Sequence, residues 1–293
     1  MDKFSANVIC GLIPGKAARH ALREKLRPSR LPPKDDAAAP VTVAIVNGMS
    51  FDVVPLQIGD TDFWHIFNTK QWEPGTFEFY KKHVRPDKDV IDIGGWIGPT
   101  MLIAYSLNPR AVHVVEGDPA NFQTMKINAM QNYAQDKVRM QNICVSDKTG
   151  DVVEFGLTDE SHPDSSTKSM NAGGGVKVLT TDIVEYLKSK DLADTSIVKI
   201  DIEGAEQLCA RGLAYMSEFP GLNVLLSLHP PFWEDKGGVV NKLMPEFKKF
   251  DIFNEEGKPL ELSELQDMML EECDCNWAGK KGRFFTIILK SRG

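Results

Sequence analysis

The segment VIDIGGWIG, residues 90–98, is a short apolar run that ends in a carboxylate, Asp92, and then in Gly94, Gly95 and Gly98. Such a run bounded by glycine predicts a buried strand, and Pro99 suits the first turn of a helix that follows it. Glycine at this kind of turn lets backbone approach a ligand where a Cβ would clash. The order here is G-G-x-x-G preceded by an acid, whereas dinucleotide sites read G-x-G-x-x-G. A carboxylate at the strand end is awkward for a pyrophosphate and suits an ammonium group. The reading therefore tilts from NAD toward S-adenosylmethionine, which carries an α-amino group and a sulfonium and no phosphate.

Outward from this segment the pattern alternates. AVHVVE (111–116), VRMQNICV (138–145), SIVKIDI (196–202) and LNVLLSLH (222–229) read as strands, and DVVEFG (151–156) as an added one. GPTMLIAYSL (98–107), PANFQTMKINAMQNY (119–133), TDIVEYLKSK (181–190) and AEQLCARGL (205–213) read as helices, the third with Thr180 or Thr181 as its cap. VVNKLMPEFKKF (239–250) is helical despite Pro245, and FDIFNE and RFFTIILK close the chain as strands. Strand–helix alternation predicts an α/β fold with a largely parallel sheet. Before it, VTVAIV and FDVVPLQI flank Asn47-Gly48 as a hairpin, and a helix opens at Pro74.

The chain has 293 residues, room for one large domain or two small ones. It holds no apolar run long enough for a transmembrane helix and no secretory leader pattern. Five cysteines form neither a disulfide framework nor a zinc pattern, so reduced thiols and a cytoplasmic location are expected. Charge is uneven. Residues 1–34 carry eight Lys/Arg against Asp2 and Glu24, while the remainder carries 26 basic and 39 acidic side chains. The acidic body argues against a broad nucleic-acid face. The basic, amphipathic head, followed by a Pro-rich linker to residue 40, is expected to touch an anionic surface such as the inner membrane face.

Four further places carry chemistry. Glu116 ends the strand after the glycine turn, where an acid can accept from both ribose hydroxyls. Ser146 and Asp147 follow the next strand and would lie beside the adenine. In KIDIEGAE (199–206), Asp201 and Glu203 follow a buried strand and share one face. Two carboxylates there sit where open α/β sheets bind ligands. His229 ends another strand, ahead of Pro230-Pro231. His162 is a second candidate for the acceptor side, and Trp64, Trp72, Trp96 and Trp233 are candidate apolar or sugar-stacking walls.

VIDIGGWIG, VVEGDP, VSDKTGDVVEF, TTDIVEYL and above all VKIDIEGAE, in this order, resemble the FkbM-type family of S-adenosylmethionine-dependent methyltransferases. The resemblance covers about residues 70–230. It implies a Rossmann-like class I fold, a mostly parallel seven-stranded sheet with one antiparallel strand, and O-methylation, often of sugars or polyketide hydroxyls. Carried over, Asp92, Gly94, Gly95 and Gly98 would hold the methionine moiety, Glu116 the ribose, and Ser146 and Asp147 the adenine, with Asp201 beside the methyl-transfer centre. Related sequences often have a Glu in the strand where Ser227 stands, which leaves a metal site open. The expected organisation is a basic segment and linker over 1–40, a hairpin addition over 41–72, and the methyltransferase domain over 73–293. The expected reaction is methylation of a sugar hydroxyl in a cell-surface glycan or its nucleotide-sugar precursor. A lipid or polyketide hydroxyl, or a non-catalytic adaptor of a glycan-assembly complex, are the alternatives. His229 is expected to be the general base, with Asp201 and Glu203 positioning the acceptor either directly or through a divalent cation such as Mg²⁺.

Overall fold

The computed structural model describes residues 42–58, 61–157, 168–170, 176–274 and 281–292. The basic segment 1–34, the linker and His162 lie outside the described residues. In chain order the elements are β1 (Thr42–Val46), β2 (Met49–Val53), β3 (Gln57–Ile58), β4 (Thr61–Asp62), α1 (Phe63–Asn68), α2 (Pro74–His83), β5 (Asp89–Ile93), α3 (Pro99–Ser106), β6 (Val112–Glu116), α4 (Pro119–Gln131), β7 (Val138–Asn142) and β8 (Cys144–Ser146). They continue with β9 (Val152–Leu157), β10 (Lys168–Met170), β11 (Val176–Asp182), α5 (Ile183–Lys188), β12 (Thr195–Ile200), α6 (Ala210–Met216), β13 (Asn223–Leu228), α7 (Lys236–Phe247), β14 (Phe250–Asn254), α8 (Leu262–Leu270) and β15 (Phe285–Ser291). Among the described residues no helix is long and apolar enough to cross a membrane.

The central sheet has seven strands in the order β14-β15-β13-β12-β5-β6-β7. Only β15 runs against its neighbours. β5 and β12 are buried along their whole length, as strands covered on both faces must be. Alternate residues feed opposite layers. Ile91, Ile93, Val198 and Ile200 enter the core under α5, α6 and α7. Val90, Val112, Val114 and Ile197 enter the core under α2, α3 and α4. Chain direction along the sheet reverses at β5, with β6 on one side and β12 on the other. A crevice opens at the carboxyl ends of strands at such a switch point.

Helix starts follow local chemistry. Pro74, Pro99 and Pro119 occupy first turns, and Asp62, Asp118 and Asp182 cap α1, α4 and α5 through side-chain carboxylates. The expected cap at Thr180 or Thr181 is therefore corrected: both threonines lie in β11, and the carboxylate of Asp182 takes the two free amides. The single strand expected over 138–145 is two. β7 pairs with β6, and β8 leaves to pair in parallel with β11 in a second, four-stranded sheet. The Asn142 side chain donates to the carbonyls of Glu116 and Gly117, occupying acceptors at the end of the ladder.

The β1–β2 hairpin, turning at Asn47-Gly48 with both residues at positive φ, is stitched to the sheet layer by asparagines. Asn128 accepts from Val54 N (2.7 Å) and donates to the Ile97 carbonyl (2.9 Å) while completely buried. Asn132 accepts from and donates to the backbone of Asp52. Asn128→Ala should leave a backbone amide and a carbonyl unpaired and cost about 1–3 kcal/mol of stability, read as a lowered midpoint in urea unfolding.

Candidate active site

A cavity of about 240 Å³ opens at the switch point. Its floor is Gly94, Gly95 and Trp96 after β5 and the β12 end at Lys199, Asp201 and Glu203. Glu116 ends β6 on one side, with Ile143, Cys144 and Val145 beyond it. The opposite wall comes from the amino-terminal elements: Ile58, Phe63, Ile66, Trp72 and Glu73. Phe63 packs edge-on against Trp96 and Trp72, with centroids 4.6 and 5.6 Å away.

The glycine turn exists because two strands meet tightly there. Gly94 has φ 85°, and a Cβ on it would stand 1.7 Å from the Asp201 carbonyl oxygen. The Asp201 amide donates to Ile93 O (2.9 Å), which closes the same seam. Three wall residues that are not glycine also hold left-handed backbone: Glu73 (φ 40°), Trp96 (φ 49°) and Glu203 (φ 49°). Strain of this kind persists only where its surroundings over-determine it, and it collects at functional sites.

Glu116 does more than face the cavity. Its Oε2 accepts from Trp96 N (2.8 Å) and its Oε1 from Asp118 N (2.7 Å), so one carboxylate ties the β5 and β6 turns together. Burial pushes its pKa up to about 7 against the pull of those two amides. Glu73 is also raised to about 7, by burial and then by the charge of Asp201, with Lys199 and its hydrogen bond to Thr76 opposing. Glu203 is raised to about 8, by burial first; His229 opposes, while Asp201 and Glu206 add to the rise. Lys199 donates to Asp201 Oδ2 (3.0 Å) and lies 3.9 Å from Asp92 Oδ1.

Not every expected site residue is on the wall. Gly94, Gly95, Glu116, Asp201 and Glu203 are. Asp92 is not: it is completely buried, accepts from Thr100 Oγ1 (2.6 Å) and faces Lys199. It supports Thr100 and Lys199, which do line the cavity. Gly98 serves packing, since a Cβ there would meet Met101 and Met125. Ser146 and Asp147 stand off the wall, because β8 turns into the second sheet and presents Ile143, Cys144 and Val145 instead. Trp72 and Trp96 line the cavity, Trp64 is core, and Trp233 donates Nε1 to Glu206 (2.6 Å).

His229 lies behind Asp201 and Glu203. Its Nδ1 is 2.6 Å from Glu206 Oε1, and its Nε2 is 3.5 Å from Asp201 and 3.7 Å from Glu203. Burial would lower its pKa, but the charges of Glu203 and Glu206, the bond to Glu206 and the charge of Asp201 push it up to about 10. His229, expected as the general base, is not among the residues that line the cavity, whereas Asp201 and Glu203 are. Sequence reading missed Glu73, Thr100 and Lys199 as wall residues and Glu206 as the partner of His229. Only Lys199 and Glu206 left a signal, inside KIDIEGAE.

The cavity and its immediate surroundings hold Glu73, Asp92, Glu116, Asp201 and Glu203 against the single ammonium of Lys199. Buried Oδ1 atoms of Asp92 and Asp201 have no hydrogen-bond donor. Such a site fits a cationic ligand and repels a pyrophosphate. An α/β sheet in this order, with an acid-walled cavity at its switch point, defines a class I methyltransferase fold. Residues 92–219, less than half of the chain, match the model of the methyltransferase FkbM domain, and over that stretch the chain is similar to that family. No curated protein matches the chain. Among solved structures, an O-methyltransferase from Bacillus cereus in complex with SAH is similar at 9% identity and a TM-score of 0.41, covering 75% of this chain and 80% of that one. A precorrin-6y C5,15-methyltransferase from Geobacter metallireducens is similar at 11% identity and a TM-score of 0.39, covering 75% and 87%.

Gly94→Ala should be among the most damaging small substitutions. It adds about 1–2 kcal/mol for left-handed alanine and about 1–3 kcal/mol for the clash with the Asp201 carbonyl. A fall in unfolding free energy of less than about 1 kcal/mol would show that the seam relaxes more easily than its geometry implies.

Proposed function

We propose that the protein transfers the methyl group of S-adenosylmethionine to a hydroxyl, and that the acceptor is a sugar in a cell-surface glycan or its nucleotide-sugar precursor. The observation that carries this reading is the two-sided cavity. One side is an excess of carboxylates at the strand ends. The other is an aromatic wall of Phe63 and Trp72 with one carboxylate, Glu73, set into it. Aromatic faces stack on the C–H faces of sugars, and a carboxylate beside them suits a hydroxyl. Ile58 and Ile66 in the same wall favour a second reading, a lipid or polyketide hydroxyl. The catalytic set lining the cavity favours an enzyme over an adaptor.

When bound, S-adenosylmethionine supplies a methyl group already activated on a cationic sulfur. Glu116 would accept from the ribose hydroxyls on the lone pairs left beside its two amide bonds. Asp201, steadied by Lys199, would face the positive charges of the donor. The acceptor proton needs a base on the wall, and Glu73 is placed for it. Its Oε2 is held by Thr76 Oγ1 (3.0 Å). Asp201, Lys199 and Glu255 are the charged groups around it, and Gly75 N bonds Glu255 (3.2 Å), which fixes the turn. A positioned base typically contributes ~10²–10⁴-fold.

Glu116→Ala should weaken donor binding at least about tenfold, the equivalent of one hydrogen bond to a charged group at ~1.5–3 kcal/mol. Calorimetry that finds the mutant's affinity unchanged, or no binding by the native protein, rejects the donor assignment.

Glu73→Gln should lower kcat about a hundredfold or more with donor affinity nearly intact. The sign of the pH dependence follows from the raised pKa. The carboxylate is the active form, so kcat/KM for the acceptor, measured with the donor saturating so that Glu116 is already engaged, should rise with pH through about 7 and level off above it, and that rising limb should vanish in the glutamine variant. Retained turnover and an unaltered pH limb in Glu73→Gln would remove the residue from the chemistry.

A further inference from the structure

We propose that Asp201, Glu203 and His229 form a binding site for a divalent first-row transition ion, with Glu206 as the residue that orients the histidine. One ligand atom from each of the three lies within 4.8 Å of the other two. The separations from His229 Nε2, 3.5 Å to Asp201 Oδ1 and 3.7 Å to Glu203 Oε2, are informative. An imidazolium paired directly with a carboxylate closes to about 2.7–2.9 Å. Ligands held at about 2.1–2.2 Å around one ion stand roughly 3.0–3.6 Å apart in octahedral or tetrahedral arrangement. Both separations are longer than a closed ion pair; the one to Asp201 falls within the ligand–ligand range and the one to Glu203 just outside it.

Independent features point the donors inward. Asp201 Oδ1 is buried and has no hydrogen-bond partner, while its Oδ2 is committed to Lys199. On the imidazole, Nδ1 is bonded to Glu206 at 2.6 Å. Glu206 is fully buried and fixed in turn by Gly204 N (2.9 Å) and Trp233 Nε1 (2.6 Å). An Nδ1–H donating to a buried carboxylate leaves the Nε2 lone pair for a metal, which is the usual outer-shell arrangement of ligating histidines. Glu203 reaches the cluster from a left-handed backbone, and a Cβ on the adjacent Gly204 would stand 2.6 Å from the Phe232 Cβ. Phe232 and Phe284 lie beside the imidazole, with ring centroids 6.1 and 5.5 Å away. Asp201 and Glu203 also form part of the cavity wall.

The donor set selects the ion. One imidazole with two carboxylates suits Mn²⁺ or Zn²⁺ better than Mg²⁺, which prefers oxygen ligands alone. Ser227, at the position where a carboxylate was expected from related sequences, pairs with Thr286 instead (3.1 Å) and leaves the nitrogen ligand to His229. On the O-methylation reading, an ion here would bind the acceptor hydroxyl and lower its pKa beside the base. The site itself does not depend on that reading.

The test is Mn²⁺ binding to the full-length protein, stripped with chelator and desalted, followed by the loss of the free-ion signal in electron paramagnetic resonance. One ion per chain is expected, and pulsed resonance should show coupling to a single imidazole ¹⁴N. His229→Ala should abolish binding, and Glu206→Gln should weaken it by about 10–100-fold. Absence of Mn²⁺ and Zn²⁺ binding by the native protein overturns the site and leaves His229 as an imidazolium among three carboxylates. Binding without a nitrogen coupling overturns it equally, and that result needs no variant to fold. Calorimetry with S-adenosylhomocysteine in chelator separates the two ideas. Donor binding without ion binding removes only the ion site, and ion binding without donor binding removes only the functional reading.

Discussion

The seam between the carboxyl ends of β5 and β12 is the constraint on which the rest of the molecule depends. The Asp201 carbonyl lies where a Gly94 side chain would be, and its amide bonds the Ile93 carbonyl. Two backbones can approach this closely only over a glycine. The approach carries Lys199 between Asp92 and Asp201, and brings the turn after β5 level with the turn after β12. The strand-end carboxylates, the glycine turn and the switch-point cavity all follow from that contact.

Electrostatics then decides what the cavity can hold. Burial costs each carboxylate its hydration, and one lysine cannot compensate five of them, so Glu73, Glu116 and Glu203 drift toward neutrality when no cation is present. A ligand bearing an ammonium and a sulfonium reverses that drift. His229 answers the same excess from behind the wall, where a proton or a metal ion supplies the missing positive charge.

The amino-terminal elements are part of the site rather than an appendage to it. Asn128 and Asn132 fasten β2 and Val54, the residue just after it, to α4, and α1 is capped by Asp62, whose carboxylate accepts from Trp64 N. This places Phe63, Ile66, Trp72 and Glu73 across from the strand ends. One side of the cavity is thus built by the sheet itself, whereas the opposite wall is built by a short β-hairpin and a short helix.

The amino-acid sequence by itself determined the order of strands and helices, because a buried parallel strand must be a short apolar run and its turn must be punctuated by glycine, proline or a capping acid. It also pointed to Gly94, Glu116, Asp201 and Glu203, which line the cavity because each sits beside a strand end that faces the crevice. Only the tertiary structure decided which acids touch the cavity and which stand behind it. Asp92 and Glu116 both end strands, yet one is sealed behind Thr100 and the other is on the wall. Glu73 lies more than a hundred residues from Asp201 in sequence and meets it only through packing. The charge state of His229 was equally invisible. A strand-end histidine has an ordinary pKa until Glu203, Glu206 and Asp201 are folded around it, and the energy of those pairs depends on distances that no one-dimensional pattern contains.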